Sequence, residues 1–259
     1  MASPKISQRF AAIKDVVAER GLASVAELAA QLGVSDETIR RDALRLEQRG
    51  EILKLHGALT LPARIGEAPF EKRMRDNAQG KRALARAAAA HVKDGDSLMI
   101  DTGATTSIFA QELRAKRALT IVTNSSDIAR MLAMVNGNTV YMAGGALKGD
   151  NGAALGASAV EFFARFRVRH AFISITGLSA EDGPMDADLA EAEIARVALS
   201  RAEHKVILAD SSKFGRSALV RVCPYGEVDR LISDAIPQGA LRHALEAAGT
   251  LIEAAQMQP

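Results

Sequence analysis

The chain has 259 residues, of which 48% are hydrophobic and 25% are charged, and its formal net charge is +2. This composition excludes a disordered or fibrous protein, and the length predicts about two domains. The net charge is too small to indicate nucleic-acid binding by itself, so that function requires a local cluster of basic residues.

Cys223 is the only cysteine, which excludes an internal disulfide and the cysteine cluster of a structural zinc site. The five histidines include no i, i+4 pair, so neither a metal site nor a cofactor is predicted. No stretch approaches the roughly 20 apolar residues of a membrane helix, and the N-terminus lacks the apolar run of a signal peptide. We therefore expect a cytoplasmic protein without a membrane partner.

The first 60 residues are predicted to form one small domain that begins with two helices. The first helix runs from about Pro4 to Arg20, because four apolar residues recur at helical spacing. A second helix starts at Ser24, since Ser24 and Glu27 have the spacing of a capping box, and Gly33 allows a tight corner after it. The four apolar residues of the first helix are Ile6, Phe10, Ile13 and Val17.

The third predicted helix, Val34 to Arg49, has Ser35 as its N-cap and acidic residues at positions 36 and 37 that complement its dipole. One narrow face is apolar, with Ile39, Ala43 and Leu46, and the remaining surface is basic. Two interpretations fit this pattern. The helix is either an amphipathic surface helix whose arginines are only solvated, or the recognition helix of a helix-turn-helix.

A short hairpin is predicted over residues 52–57, directly after the third helix. Two helices joined at a glycine corner and followed by a hairpin make a winged helix-turn-helix, which places the basic helix in a DNA groove. This arrangement favours DNA binding over a solvated surface helix. The residues predicted to contact double-stranded DNA are Ser24, Ser35, Glu37, Thr38, Arg40, Arg41, Arg45, Lys54 and His56.

Several residues of this segment form a recurring motif. They are Thr38-Ile39-Arg40-Arg41-Asp42, Leu46-Glu47, Gly50, Ile52, Lys54 and His56-Gly57. In this respect the segment resembles the helix-turn-helix of DeoR-type bacterial transcription regulators, in which a TIRRDL helix and an LE..G.L.R.HGG wing recur. The chain departs from that pattern at Ala43, Lys54 and Ala58. The changes at Ala43 and Ala58 concern core packing and the shape of the wing more than DNA contact.

A linker is predicted over residues 61–75, where two prolines and a glycine fall within nine residues, after a DNA-binding domain of residues 1–60. From residue 76 to 259, apolar strands alternate with amphipathic helices, which predicts an α/β domain around a mostly parallel sheet. Lys81 is expected on the polar side of its helix. The predicted strands are Ser97–Ile100, Leu119–Thr123, Thr139–Ala143, Ala171–Thr176 and Lys205–Ala209, and the helices between them are Thr105–Leu113, Asp127–Val135, Ala157–Phe166 and Leu189–Ser200.

Four loops follow predicted strands and are therefore expected at one edge of the sheet, where open α/β sheets bind ligands. Each loop alone would be read as a helix cap or a tight turn, but together they offer small, hydroxyl-bearing residues at helix starts, which suit an anion such as phosphate. Neither a P-loop nor a dinucleotide fingerprint is present, so a nucleotide cofactor is not expected. The residues predicted to bind the effector are Asp101, Thr102, Gly103, Ala104, Thr105, Thr106, Thr123, Asn124, Ser125, Gly144, Gly145, Asp210 and Lys213.

These loops also resemble the effector domain of DeoR-type regulators, which shows D.GTT, VTN, GG and D.SKFG segments in this order. The resemblance runs from about Ser7 to Asp234 and implies a fold related to ribose-phosphate isomerases that binds phosphorylated sugars or polyols. It also implies that Glu191 reaches the ligand, whereas Ala195 replaces a frequent lysine and Ala104 a frequent glycine or threonine. Within the family, the segment SKFGRSALVRV is most similar to repressors of glycerol-3-phosphate metabolism.

Two functions remain open at this point. The preferred one is a repressor of a carbohydrate or glycerol catabolic operon, released from DNA by a phosphorylated metabolite, with glycerol-3-phosphate ahead of other sugar phosphates. Helix-turn-helix proteins usually read paired half-sites, so a homo-oligomer, a dimer or tetramer, is expected. The alternative is a sugar-phosphate isomerase or deaminase-like enzyme. An enzyme would not need the DNA-binding residues before Pro62. No catalytic residue is predicted, because the sequence does not identify a side chain placed to act as a general base.

Overall fold

The computed structural model describes residues 4–20, 23–48, 51–55, 58–60, 68–148 and 151–256. The chain divides into two compact units, Met1–Ala68 and Pro69–Pro259. The second unit begins earlier than the predicted residue 76, because Phe70–Arg75 is a helix that packs within this unit. No helix among the described residues is long and apolar enough to cross a membrane.

The first unit is a winged helix-turn-helix, as its sequence pattern predicts. Its described elements are α1 (Pro4–Arg20), β1 (Ala23–Ser24), α2 (Val25–Leu32), α3 (Asp36–Gln48), β2 (Leu53–Leu55) and β3 (Ala58–Thr60). The described strands form one antiparallel sheet in the order β1-β3-β2, and β2 and β3 are the hairpin of the wing.

The helical periodicity of the first unit explains its core. Gly33 ends α2 in a left-handed conformation, with φ of 64°, and its N–H donates to Ala29 O, so the chain turns sharply into α3. The periodic apolar residues of all three helices meet beneath this corner. The buried ones include Phe10, Ile13 and Val17 of α1, Leu28 of α2, and Ile39, Ala43 and Leu46 of α3.

The second unit is an α/β domain in which strands and helices alternate, again as predicted. Its helices are α4 (Phe70–Arg75), α5 (Ala78–Ala90), α6 (Ala104–Glu112), α7 (Ser126–Ala133), α8 (Ala157–Ala164), α9 (Leu189–Ser200) and α10 (Gly239–Ala247). Its strands are β4 (Ser97–Ile100), β5 (Thr120–Thr123), β6 (Thr139–Met142), β7 (Val168–Ser174), β8 (Gly177–Ser179), β9 (Gly183–Asp186), β10 (Ala202–Leu208), β11 (Val220–Arg221), β12 (Arg230–Ser233) and β13 (Leu251–Ala254).

Seven of these strands form one sheet in the order β13-β12-β10-β7-β4-β5-β6, and every neighbouring pair is parallel. Because the side chains of a strand alternate between faces, Leu98 and Ile100 enter one core layer and Met99 enters the other. The strands β5 and β6 extend the sheet from β4 in one direction, whereas β10, β12 and β13 extend it from β7 in the opposite direction. The sheet therefore has a topological switch point between β4 and β7, where ligands of open α/β sheets bind.

A small antiparallel sheet, in the order β11-β9-β8, is not predicted by the alternating pattern. Its strands are only two to four residues long and contain Gly177, Gly183 and Pro184, which are weak strand formers. Gly183 is required by close packing, since a Cβ there would lie 2.6 Å from Cys223 O. This sheet connects β7 to α9 and so sets where α9 begins.

Candidate DNA interface and effector site

The recognition helix α3 presents a basic face and buries an apolar one. The Ser35 hydroxyl accepts a hydrogen bond from Thr38 N at 3.3 Å and therefore caps the first turn. Thr38 is half-buried, and its own hydroxyl lies 2.9 Å from the Ser35 hydroxyl. The exposed residues of this face that were predicted to contact DNA are Glu37, Arg40, Arg41 and Arg45.

The inner face of α3 carries one buried charge, which the sequence pattern did not single out. Asp42 is 1% exposed, and its carboxylate accepts a hydrogen bond from Arg9 Nε of α1. This hydrogen bond raises the pKa of the Arg9 guanidinium above its ordinary value. The only sequence signal for the pair is that Asp42 follows Ile39 by three residues and so lies on the buried side of the helix.

Ser24 joins the helix-turn-helix to the wing. Its hydroxyl accepts from Glu27 N at 3.2 Å, and the Glu27 carboxylate accepts from Ser24 N at 2.7 Å, which completes the predicted capping box. In the sheet, Ser24 is also the partner of Ala58 in β3. Lys54 of the wing is exposed, whereas His56 lies outside the described residues. DNA contact by Ser24, Lys54 and His56 stays a prediction.

At the switch point, Asp101 and Ser174 connect the ends of β4 and β7. The Asp101 carboxylate accepts from Ser174 N at 3.0 and 3.2 Å and from Ser174 Oγ at 3.3 and 3.4 Å. Burial raises the pKa of Asp101 well above its usual range, and the hydrogen bonds oppose this shift. Gly103 is needed here, because a Cβ on it would lie 1.9 Å from Ser174 Oγ.

The start of α6 lies directly beside this pair. Thr106 lies in the first turn of α6, and its Oγ1 donates back to the preceding loop, at 3.2 Å to Asp101 O and at 3.2 Å to Gly103 O. By contrast, Thr102 Oγ1 is buried and has no hydrogen-bond partner among the described residues. The first N–H groups of a helix also lack intrahelical partners, so this end of α6 offers donors to an anion.

In the loops after β5 and β6, some polar groups have hydrogen-bond partners within the described chain and one has none. Ser125 caps α7 by accepting from Ile128 N at 3.3 Å, and Thr123 Oγ1 accepts from Ser125 N at 3.1 Å. Asn124 Nδ2 donates to Ala154 O at 3.2 Å, but its buried Oδ1 has no partner within the described chain. A Cβ on Gly144 would meet nothing within 4 Å, so crowding does not explain a glycine there.

A cluster of charged residues lies around Glu191, and sequence reasoning missed most of it. Lys148 Nζ is 3.0 Å from Asp188 Oδ2 and 3.0 Å from Glu191 Oε1. Burial lowers the pKa of Lys148, but the two carboxylates outweigh burial and raise the pKa overall. Asn151 Nδ2 also donates to Glu191 Oε1, at 3.3 Å. Ala195 is buried in the core, so the cation beside Glu191 comes from Lys148 instead of α9.

Asp210 and Lys81 form a buried ion pair in which Asp210 Oδ2 lies 3.8 Å from Lys81 Nζ. Asp210 is 0% exposed, so its carboxylate faces the protein interior, whereas Lys213 at the end of the same turn is half-buried. The expectation that Lys81 lies on a polar helix face is wrong, because only 4% of Lys81 is exposed. A position on a helix face does not reveal which buried carboxylate will meet it in the folded chain.

The described residues contain no group of three His, Cys, Asp or Glu side chains that could hold a metal ion. What the structure brings together at the carboxyl edge of the sheet is a set of hydroxyls, amides and helix-start N–H groups, flanked by the cluster around Glu191. Such groups bind a polar or anionic ligand by hydrogen bonds.

Comparison with known proteins identifies both units. Residues 9–64 match the sequence model of the DeoR-like helix-turn-helix domain, and residues 76–235 match that of the DeoR C terminal sensor domain. The chain is 30% identical over 241 residues to the glycerol-3-phosphate regulon repressor of Escherichia coli (strain K12), covering 93% of this chain and 96% of that one.

Two further relatives are also named as transcriptional repressors. The HTH-type transcriptional repressor CsqR of Escherichia coli (strain K12) is 31% identical over 89% of this chain and 88% of its own. The HTH-type transcriptional repressor GlcR of Bacillus subtilis (strain 168) is 28% identical over 93% of each chain.

Among solved structures, ribose 5-phosphate isomerase A from Methanocaldococcus jannaschii is 19% identical with a TM-score of 0.37, covering 52% of this chain and 53% of that one. This value is too low to add to the assignment. The matched domain models and the named repressors show that the α/β unit is a sensor domain and not an enzyme. The chain therefore belongs to the DeoR family of helix-turn-helix transcription regulators.

Proposed function

We propose that this protein represses transcription by holding operator DNA with its first unit and releases it when a phosphorylated sugar or polyol binds to its second unit. The basic face of α3 supports the first half of the proposal. Arg40, Arg41 and Arg45 are exposed on the side opposite the buried stripe, where they can meet phosphates and base edges. Operator binding by paired half-sites makes a homo-oligomer the expected form, in the cytoplasm where the operator lies.

The single observation that best supports the effector site is the set of hydrogen-bonding groups in the loop between β4 and α6. There the helix-start N–H groups lie next to Thr102, whose buried hydroxyl has no partner among the described residues. Buried polar groups in native proteins are almost always hydrogen-bonded. A ligand that carries both an anionic group and hydroxyls would satisfy these donors and acceptors together.

Two further polar groups belong to the same unit, one in the loop after β5 and the other, only partly buried, in the first turn of α9. Asn124 Oδ1 has no hydrogen-bond partner in the described chain, and Glu191 is held by Lys148 and Asn151. We propose that the phosphate binds at the start of α6 and that the polyol hydroxyls face Asn124 and Glu191. Glycerol-3-phosphate is the preferred ligand, because relatives named after its regulon align over 93% of the chain. Another sugar phosphate is the alternative.

The test combines binding with operator release. We expect glycerol-3-phosphate, or one member of a panel of sugar phosphates, to raise the melting temperature and to lower operator affinity. Glycerol without phosphate is the matched control, since it offers no anion to the helix start. If glycerol acts as strongly as its phosphate, or if no phosphorylated compound changes operator affinity, the proposed effector class is wrong.

A further inference from the structure

A buried lysine connects the effector edge to the first helix of the sensor unit. Lys81 lies in the first turn of α5, yet its ammonium reaches back to the end of α4. Nζ donates to Arg73 O at 2.5 Å and to Asp76 O at 2.6 Å. The last carbonyls of a helix have no intrahelical donors, so Lys81 satisfies the C-terminal end of α4 and opposes its negative dipole.

The other side of the same ammonium faces Asp210. The distance from Nζ to Asp210 Oδ2 is 3.8 Å, and this buried oxygen has no hydrogen-bond partner among the described residues. Burial acts to raise the pKa of Asp210, but hydrogen bonds from Ser212 and Asn77, together with Lys81, lower it overall. The lowered pKa favours the ionised carboxylate, and Lys81 supplies a positive charge 3.8 Å away, while burial lowers the pKa of Lys81 itself.

The corner between α4 and α5 is fixed to the same edge by a second residue. Asn77 adopts a left-handed conformation, with φ of 48°, and its Nδ2 donates to Asp210 Oδ1 at 3.2 Å and to Asp234 Oδ2 at 2.8 Å. A Cβ on Gly80 would lie 2.3 Å from Asp234 Oδ2, so α5 packs closely against this carboxylate. The corner thus rests on the residues that follow β10 and β12.

We propose that Lys81 is a positioning residue that transmits the state of the effector site to α4. The proposal rests on the function proposed above. Asp210 begins the turn Ser211–Lys213, which lies in a predicted effector loop, but Asp210 itself is fully buried. A ligand therefore contacts the accessible part of the turn, and Asp210 moves with it.

The consequence follows from the number of donors on an ammonium group. Lys81 has three N–H bonds, of which two hold α4 and one remains for Asp210. If Asp210 shifts, the ion pair between Asp210 and Lys81 changes in length. The hydrogen bonds from Lys81 to the end of α4 then become stronger or weaker. In chain order α4 is the first helix of the sensor unit, so a change at its end lies close in sequence to the DNA-binding unit.

The first experiment separates transmission from binding. In the unmutated protein, glycerol-3-phosphate should lower operator affinity by about 5- to 150-fold, the usual range of allosteric coupling. Lys81→Met should bind operator and ligand within about twofold of the parent, and its operator affinity should no longer respond to the ligand. Arg82→Met is the matched control, because it removes the same charge from the neighbouring exposed position and should respond like the parent.

A second experiment needs no effector and also applies if Lys81→Met fails to fold. Asp210→Asn keeps the shape of the side chain but removes the charge that faces Lys81. Amide hydrogen exchange should then lose protection in the last turn of α4, around Arg73 and Arg75. Asp101→Asn is the control, since it makes the same change of side chain at a buried carboxyl group of this edge that does not contact Lys81.

The outcomes are distinguishable. A Lys81→Met protein that responds to the ligand like the parent, or an α4 whose exchange is unchanged in Asp210→Asn, overturns the role of Lys81. If no sugar phosphate releases the unmutated protein, the proposed function fails, and the exchange experiment still decides whether Asp210 controls α4 through Lys81.

Discussion

Ser174 turns both its backbone N–H and its hydroxyl toward the carboxylate of Asp101, at distances from 3.0 to 3.4 Å. Ser174 is the last residue of β7 and Asp101 directly follows β4, and successive strands extend the sheet in opposite directions from these two. The carboxylate that the sequence assigns to the ligand is therefore already engaged by the neighbouring strand. If the proposed effector binds at this switch point, its hydroxyl shares the Asp101 carboxyl group with Ser174.

The first prediction concerns the pH dependence of stability. Burial raises the pKa of Asp101 well above its usual range, so the folded state binds this proton more tightly than the unfolded chain. The free energy of unfolding should then fall as pH rises from about 4, the ordinary carboxyl value, through the raised pKa. Asp101→Asn should flatten this slope in urea unfolding curves recorded between about pH 4 and pH 8. An unaltered slope would contradict the raised pKa.

The second prediction concerns DNA readout by α3. Arg40→Ala or Arg41→Ala should weaken operator binding by roughly 1–3 kcal/mol if the lost contact reads a base, or reduce the salt slope by about one if it meets a phosphate. Titrations at several salt concentrations distinguish the two cases. Arg82→Ala, in the other unit, is the charge-matched control. If both α3 variants keep the operator affinity and salt slope of the parent, this helix does not bind in the DNA groove.

The third prediction compares two threonines in the effector loop. Thr102→Val removes a buried hydroxyl that has no partner among the described residues, so stability should be unchanged or higher while effector binding weakens. Thr106→Val removes a hydroxyl that donates to Asp101 O and Gly103 O, so stability should fall by about 1 kcal/mol. Thermal unfolding and calorimetry with glycerol-3-phosphate measure both quantities. Normal ligand affinity in Thr102→Val would place the effector elsewhere.

The fourth prediction concerns two glycines at the same edge. A Cβ on Gly103 would lie 1.9 Å from Ser174 Oγ, so Gly103→Ala forces Ser174 or the start of α6 to move. We expect a loss of about 1–3 kcal/mol of stability together with weaker effector binding. Gly144→Ala is the matched control, because its Cβ would meet nothing within 4 Å. Equal stability of the two variants in urea unfolding would contradict the close approach of Gly103 to Ser174.

Local patterns in the sequence predict much of this fold for a physical reason. Several predicted features depend only on residues a few positions apart. They are the capping box of Ser24 and Glu27, the left-handed turn at Gly33 and the apolar face of α3 that contains Ile39. The position of the loops proposed to bind the effector is predicted in the same way, because a strand followed by a helix start indicates which edge of the sheet the loop occupies.

The rest depends on contacts between distant residues, which no local pattern records. Lys148 and Glu191 are 43 residues apart, and Asn77 and Asp210 are 133 residues apart. Their meeting follows from the strand order, which the periodicity of single segments does not determine. For the same reason a sequence pattern places Lys81 on a solvated helix face, whereas the folded chain buries it against Asp210.

The contact between Arg9 and Asp42 limits what regulation can change. Asp42 is almost fully buried beneath α3, and Arg9 fastens it to α1, while Ile39 and Leu46 fill the same interface. Rotation of the recognition helix about its own axis would break this buried contact, so the packing favours one orientation of the exposed side chains of α3. We therefore expect a metabolite that regulates this protein to alter how strongly and for how long the operator is occupied, but not which base pairs are preferred.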